Sequence, residues 1–162
     1  DQQKQDPKTG KNGWRYNPYV IEPAAGVTRG LLVYLLDAYH EETVPNADGE
    51  DSTRVVMKLH PRLAPIKVAV LPLVKKEGLP EIAREMISGF FKAGINARYD
   101  EQHSIGKRYR RHDEAGTPYC ITIDGQTTED GTVTIRDRDT MKQERISKDE
   151  ALQVVQKRLV ES

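Results

Sequence analysis

The chain has 162 residues, with 25 lysines and arginines against 25 aspartates and glutamates, so its formal net charge at pH 7 is zero. The composition is 36% hydrophobic and 31% charged, yet the apolar residues form periodic runs, which excludes a wholly disordered chain. The apolar runs at 30–36 and 63–74 fall short of the roughly 20 residues that cross a bilayer, which excludes a membrane span.

The cysteine and histidine content argues against a disulfide-bonded protein and against a zinc-binding protein. Cys120 is the only cysteine, so no internal disulfide can form, and the chain is expected in a reducing, cytoplasmic setting. The four histidines have no metal-ligand spacing, and we predict no metal site. The sequence opens at Asp1 without a methionine, which predicts a fragment or a processed product.

The first 54 residues divide into a polar lead, a short strand, a helix and an acidic stretch. Residues 1–13 contain no side chain suited to a core and predict a flexible lead or a truncated loop. Residues 18–21 predict a strand, and apolar residues at helical spacing predict a helix over 27–42. Residues 41–53 contain five acidic residues, and we expect an exposed loop or a domain boundary there.

From residue 55 onward, predicted strands alternate with predicted helices. The strands are expected at 55–59, 67–73, 95–99, 119–124 and 132–136, the last two paired as a hairpin. The helices are expected at 79–93, at 107–114, and after the capping-box pattern of Ser147 and Glu150. The alternation predicts an α/β fold with a mixed sheet of about five strands flanked by about three helices.

One candidate site lies where the predicted strand at 18–21 turns into the helix. Glu22 could pair with an ammonium group, the small residues of the turn admit close approach of a ligand, and Arg29 could hold a phosphate oxygen. The spacing alone favours the alternative, a tight surface turn flanked by two solvated charges.

A second candidate site is the basic stretch between His103 and His112. It contains four basic residues and no acidic one, with Tyr99, Tyr109 and Tyr119 interleaved or flanking. Arginines and aromatic rings favour single-stranded nucleic acid, since they pair with phosphates and stack on bases. A solvated, self-paired surface helix explains the same stretch.

Four segments of the chain resemble class II glycyl-tRNA synthetases. Val-Ile-Glu-Pro-Ala-Ala-Gly-Val-Thr-Arg at 20–29 is similar to the third signature motif of that family. Leu-His-Pro-Arg-Leu-Ala-Pro-Ile-Lys-Val-Ala-Val-Leu-Pro-Leu at 59–73 resembles its anticodon-binding domain, as do Ser-Ile-Gly-Lys-Arg-Tyr at 104–109 and Asp-Glu-Ala-Gly-Thr-Pro at 113–118. The resemblance covers residues 14–160.

The resemblance implies a role for each of these segments. It places glycine on Glu22, Pro23, Ala24, Ala25 and Gly26, and ATP on Gly26, Val27, Thr28 and Arg29. Arg29 would be the catalytic residue, because its charge stabilises the attack of the glycine carboxylate on ATP. The anticodon loop of glycine tRNA would contact Tyr99, Lys107, Arg108, Tyr109, Arg110 and Arg111.

The resemblance also implies a division of the chain and the state of the intact enzyme. Residues 1–13 would be the lead, 14–54 a piece of the catalytic domain, and 55–162 the anticodon-binding domain. The full-length protein would be a homodimeric glycine–tRNA ligase that uses ATP with Mg²⁺. This chain is expected to hold no tightly bound cofactor. Lacking the other two family motifs, this chain alone would be inactive. The alternative is a non-catalytic nucleic-acid-binding module, such as a polymerase accessory subunit of the same fold.

Overall fold

The structure is a computed structural model that describes residues 5–13, 19–45, 49–76 and 78–162. Two compact units are present, Asp1–Gly30 and Leu31–Ser162. In the first unit, Gln5 and Asn12 form an isolated antiparallel bridge, and residues 19–26 have no regular secondary structure. Helix α1 (Val27–Ala38) begins in the first unit and continues into the second.

The strand predicted at 18–21 is wrong for the residues that the structure describes. Tyr19, Val20 and Ile21 are exposed and pair with no described strand, while Pro18 lies outside the described residues, as do 14–17 of the predicted catalytic piece. Apolar side chains alone do not make a strand, because the backbone amides need a partner strand to pair with.

A β-hairpin replaces the second half of the predicted helix and the predicted acidic loop. Helix α1 ends at Ala38, and β1 (Tyr39–Pro45) pairs antiparallel with β2 (Asp51–Met57). The predictions of helix at 39–42 and loop at 41–53 are therefore wrong, and β2 overlaps the strand predicted at 55–59. The reason is that alternate residues turn inward: Val44, Arg54 and Val56 are buried and Glu42 is partly buried, whereas Glu41 stays exposed, a period-2 pattern.

The second unit contains the predicted mixed five-stranded sheet, with one change of membership. Its strands are β3 (Val68–Pro72), β4 (Ala97–Tyr99), β5 (Tyr119–Ile123), β6 (Thr132–Asp137) and β7 (Gln143–Ser147), in the order β4-β3-β5-β6-β7. Strand β3 is parallel to β4 and β5, whereas β6 is antiparallel to β5 and β7. The sheet thus includes β7, which the sequence did not predict, in place of β2.

Helices flank this sheet, as predicted, and they cover both of its faces. Helices α2 (Leu79–Lys92) and α5 (Ala151–Glu161) pack on one face through Phe90 and Val155. Helix α3 (Ile105–Glu114) packs on the other face, where Tyr109 lies against Leu71 and Cys120. Both faces of β3 are therefore buried, which explains its continuous run of apolar residues.

The connection between β5 and β6 contains a helix that the sequence did not predict. Helix α4 (Gly125–Asp130) begins with a capping box, in which Asp124 and Thr127 exchange side-chain-to-backbone hydrogen bonds. The capping box predicted at Ser147 is wrong, since Glu150 is the N-cap of α5 and forms no side-chain cap. Ser147 instead ends β7, and strand pairing outcompetes the capping pattern there.

Candidate nucleic-acid interface

The parallel strands β3 and β4 end at the same edge of the sheet, and a buried arginine joins the loops that follow them. Arg108 of α3 is 3% exposed, and its guanidinium donates to the backbone carbonyls of Pro72 at 2.6 Å, Asp100 at 3.2 Å and Leu73 at 3.3 Å. We call this edge, formed by residues 73–76, 99–104 and 107, the carboxyl edge. Arg108 fixes its shape, because it satisfies carbonyls of both loops.

Charged side chains surround Tyr99 at the carboxyl edge. The Tyr99 hydroxyl donates to the carboxylate of Glu101, and Lys75 Nζ lies 3.5 Å from the other oxygen of that carboxylate. The Arg84 guanidinium of α2 lies 5.5 Å from the Tyr99 ring centroid, within cation–π range. Burial and the hydrogen bond to Glu101 raise the pKa of Tyr99 to about 12, so its hydroxyl stays protonated.

The predicted tRNA-binding residues of α3 fall into a surface group and an inner group. Lys107 is exposed, while Arg110 donates to Ser52 Oγ at 3.1 Å and Arg111 to Asp100 Oδ2 at 2.7 Å. These three side chains and Tyr99 reach the surface. Arg108 and Tyr109 point inward.

Tyr109 is held between two groups of the sheet. Its hydroxyl shares a 2.6 Å hydrogen bond with Thr122 Oγ1, and the Arg136 guanidinium lies 4.8 Å from its ring centroid. Because burial raises the pKa of Tyr109, the phenol remains neutral. The ring packs against the sheet and leaves little face for a base.

A buried histidine lies behind the carboxyl edge. His112 Nδ1 is 3.2 Å from Thr117 Oγ1, and its Nε2 is 3.7 Å from Asp100 Oδ2, beyond hydrogen-bond distance. Burial lowers the pKa of His112 to about 4, and the neighbouring carboxylate of Asp100 offsets only part of that effect. The imidazole is therefore neutral at pH 7.

The predicted glycine and ATP segment lies in the first unit. The five residues from Glu22 to Gly26 are exposed and have no regular secondary structure. Val27, Thr28 and Arg29 form the first turn of α1, where Gly30 N donates to Gly26 O at 2.9 Å. The structure thus brings Arg29 to a helix N-terminus, where free backbone amides favour anions.

Lys75 of the carboxyl edge and the neighbouring Arg84 were not among the residues predicted from the sequence. Lys75 closely follows β3, so the position of that strand in a parallel sheet was a usable signal. Arg84 is one of several charged residues on α2, and only the fold shows that it faces Tyr99. Cys120, given no role from the sequence, is buried, and burial raises the pKa of its thiol to about 12.

Clusters of three or more metal-ligating side chains and apolar helices of membrane-spanning length are both absent from the described parts of the chain. Within 5–13, 19–45, 49–76 and 78–162, no group of three or more His, Cys, Asp or Glu side chains is arranged to hold a metal ion. None of the helices among these residues has both the length and the apolar character required to cross a membrane.

Comparison with known proteins identifies the family. A family model described as "Anticodon binding domain" matches residues 67–158. Glycine–tRNA ligase of Rhodopirellula baltica is 54% identical over 145 residues, which are 90% of this chain and 27% of that protein. The corresponding ligases of Thermobifida fusca and Streptomyces coelicolor are 53% and 50% identical over 90% of this chain, and 31% and 32% of their own lengths.

The match extends well beyond the short motifs from which the resemblance was inferred. This chain spans less than a third of the length of each of these curated relatives. The family model covers the sheet from just before β3 almost to the end of α5. The resemblance to glycyl-tRNA synthetases is thereby confirmed, and the chain belongs to the anticodon-binding domain family.

Proposed function

We propose that this chain is part of a glycine–tRNA ligase and that its second unit binds the anticodon loop of glycine tRNA. The observation that carries the proposal is the 50–54% identity to proteins named glycine–tRNA ligase over 90% of this chain. The intact enzyme activates glycine with ATP to glycyl-adenylate and transfers glycine to the tRNA. It acts in the cytoplasm as a homodimer, with Mg²⁺ accompanying ATP.

The carboxyl edge is the proposed RNA-binding surface. Anticodon bases are unstacked and readable, and proteins bind them with cations for phosphates and flat side chains for stacking. Lys75 and Lys107 provide exposed cations, and Arg84 lies over Tyr99 as a second planar group. Arg110 and Arg111 extend this surface along α3. Arg108 and Tyr109 lie below it, and their hydrogen bonds keep α3 in place against the sheet.

The first unit and α1 are proposed to complete a catalytic domain supplied by the rest of the enzyme. Glu22 to Gly26 contact glycine, and Gly26 to Arg29 contact ATP. The N-terminus of α1 supports the second assignment, since the phosphate tail is an anion. The boundaries of 1–13, 14–54 and 55–162 remain our proposed domain division. This chain by itself is expected to be inactive.

The RNA-binding proposal is tested with an exposed lysine pair and a matched control. Lys75→Ala with Lys107→Ala should weaken binding of the glycine tRNA anticodon stem-loop about 5–10-fold and reduce the salt dependence by about 1–2 in log–log slope. Lys157→Ala is the control, because Lys157 is also exposed but lies near the end of α5. Equal losses in both variants would contradict the assignment of the carboxyl edge.

The enzymatic part of the proposal is tested separately on the full-length protein. Glycine-dependent exchange between ATP and pyrophosphate reports adenylate formation without tRNA. We expect exchange in the intact protein and none in this chain. Anticodon-dependent binding without exchange in the intact protein would leave a non-catalytic RNA-binding module and remove the ligase assignment.

A further inference from the structure

A buried arginine connects the β1–β2 hairpin to two other parts of the second unit. Arg54 of β2 is 1% exposed, and each nitrogen of its guanidinium has a different acceptor. Nε donates to Asp113 Oδ2 of α3 at 3.0 Å, and Nη1 donates to Glu42 Oε2 of β1 at 2.7 Å. Nη2 donates to the backbone carbonyl of Arg138, just after β6.

Both oxygens of the Asp113 carboxylate, which accepts from Arg54, are also hydrogen-bonded to a second arginine. Asp113 is buried in the last turn of α3, and Arg136 of β6 contacts both of its oxygens, at 2.8 and 3.0 Å. Buried charges persist only when they are paired and hydrogen-bonded, so this geometry defines one position of the hairpin against α3. Arg110 adds a more exposed contact from α3 to Ser52 of the hairpin.

The hairpin is also bound to the end of α1. Strand β1 starts at Tyr39, directly after Ala38, the last residue of α1. Lys58 N, just beyond β2, donates to Ala38 O at 2.6 Å, and Ala38 is buried. The last residue of α1 is therefore joined to both strands at the open end of the hairpin, which sets where α1 ends relative to the hairpin.

We propose that Arg54 and Asp113 are positioning residues, which lock the hairpin onto α3 and so fix the C-terminal part of α1 relative to the RNA-binding surface. This inference rests on the proposed function. A tRNA held by its anticodon must present its other end to a distant catalytic site. The effective concentration of that end depends on how rigidly the two sites are connected.

The lock is tested directly by hydrogen exchange on this chain. Arg54→Met removes the three donors but keeps an unbranched apolar stem. Amides of β1 and β2 should exchange about tenfold faster, whereas amides of β3 and β5 should keep their protection. Unchanged exchange in the hairpin would overturn the proposal. So would equally increased exchange in β3 and β5, because that result means global destabilisation.

The positioning role is tested by steady-state kinetics of the intact ligase. Arg54→Met should raise KM for glycine tRNA about tenfold while glycine-dependent pyrophosphate exchange is unchanged, since exchange needs no tRNA. Binding of the isolated anticodon stem-loop should also be unchanged, because the carboxyl edge keeps its contacts. An unchanged KM, or a parallel loss of exchange, would overturn the positioning role.

A second variant keeps the test decisive. Glu42→Gln removes one charged acceptor of Arg54 while leaving Asp113 in place, and it should shift KM and hairpin exchange in the same direction by a smaller factor. It replaces Arg54→Met if that variant does not fold. If the wild-type protein neither performs pyrophosphate exchange nor binds the stem-loop, the proposed function fails, and hydrogen exchange alone still decides whether the lock exists.

Discussion

Two apolar segments of this chain have opposite surroundings. The residues of β3 are buried on both faces of the sheet, between α2 and α5 on one side and α3 on the other. Leu31 and Leu36 of α1 are 57% and 67% exposed, although most residues of that helix are apolar. The sheet has its core within this chain, whereas the apolar surface of α1 lacks one among the described residues.

This difference shows that β3 is stabilised by contacts within this chain, whereas α1 needs a packing partner that the described residues do not provide. Burial of apolar surface is the main favourable contribution to folding, and it is complete for β3. The exposed leucines of α1 form one continuous apolar surface rather than scattered single residues, and we expect this surface to pack against further protein in the proposed full-length ligase. Substitutions at four positions test the contrast, from the largest effect to the smallest.

The largest loss in the free energy of unfolding is expected from a cavity in the core between the sheet and α2. Phe90 of α2 is buried against the sheet, so Phe90→Ala should lower the free energy of unfolding by about 3–5 kcal/mol. Urea denaturation followed by circular dichroism measures this change. A loss below about 1 kcal/mol would mean that the packing around Phe90 is loose, and the contrast with α1 would fail.

The buried His112 should make the free energy of unfolding depend on pH. Its pKa is about 4 in the folded chain and about 6.5 when unfolded, so only the unfolded state is protonated between these values. The free energy of unfolding should therefore fall by about 1–3 kcal/mol as the pH drops from 6.5 to 4. His112→Gln should flatten this slope. An identical slope in the variant would assign the pH dependence to other groups.

A smaller effect is expected at the cap of α4. Asp124 Oδ1 accepts from Thr127 N at 3.3 Å, and Asp124 Oδ2 pairs with Arg145 at 2.6 Å. Asp124→Ala removes both contacts at a partly exposed site and should cost about 1 kcal/mol. Asp124→Asn, which retains a capping oxygen, should recover part of the loss in the same urea titration. No difference between the two variants would exclude a capping role.

The smallest effect is expected on the exposed side of α1. Leu32 is exposed, so Leu32→Ala should change the free energy of unfolding of this chain by less than about 0.5 kcal/mol. The same substitution should cost several times more in the proposed full-length ligase, where we expect α1 to be covered. A large loss in this chain alone would show that α1 already has a packing partner.

Regular apolar patterns explain which elements were predictable. The continuous run in β3 and the helical stripe of α2 each favour one structure, and both lie where they were predicted. The hairpin was missed because Glu41 and Glu42 suggested a solvated loop, whereas strand pairing requires only that alternate residues face inward. Strand β7 was missed because Gln143 to Arg145 are polar edge residues with no apolar alternation.

The candidate site was less predictable, because composition does not show where a charged side chain points. Lys107 and Arg108 are neighbours in a basic stretch, yet one is exposed and the other is buried against three backbone carbonyls. The same holds for Arg54, whose partner Asp113 is distant in sequence. Such pairings depend on tertiary contacts between elements. The roles proposed for Glu22 to Arg29 remain predictions from the family resemblance.

Anticodon recognition is tested by measuring how tightly this chain binds anticodon stem-loops of glycine tRNA across a salt series. One RNA has the natural anticodon, and the other has its second and third bases replaced. We expect the replacement to weaken binding at least about tenfold at every salt concentration, because lost base contacts cost about 1–3 kcal/mol each. Equal affinities that decline together with salt would indicate phosphate contacts alone and contradict anticodon recognition.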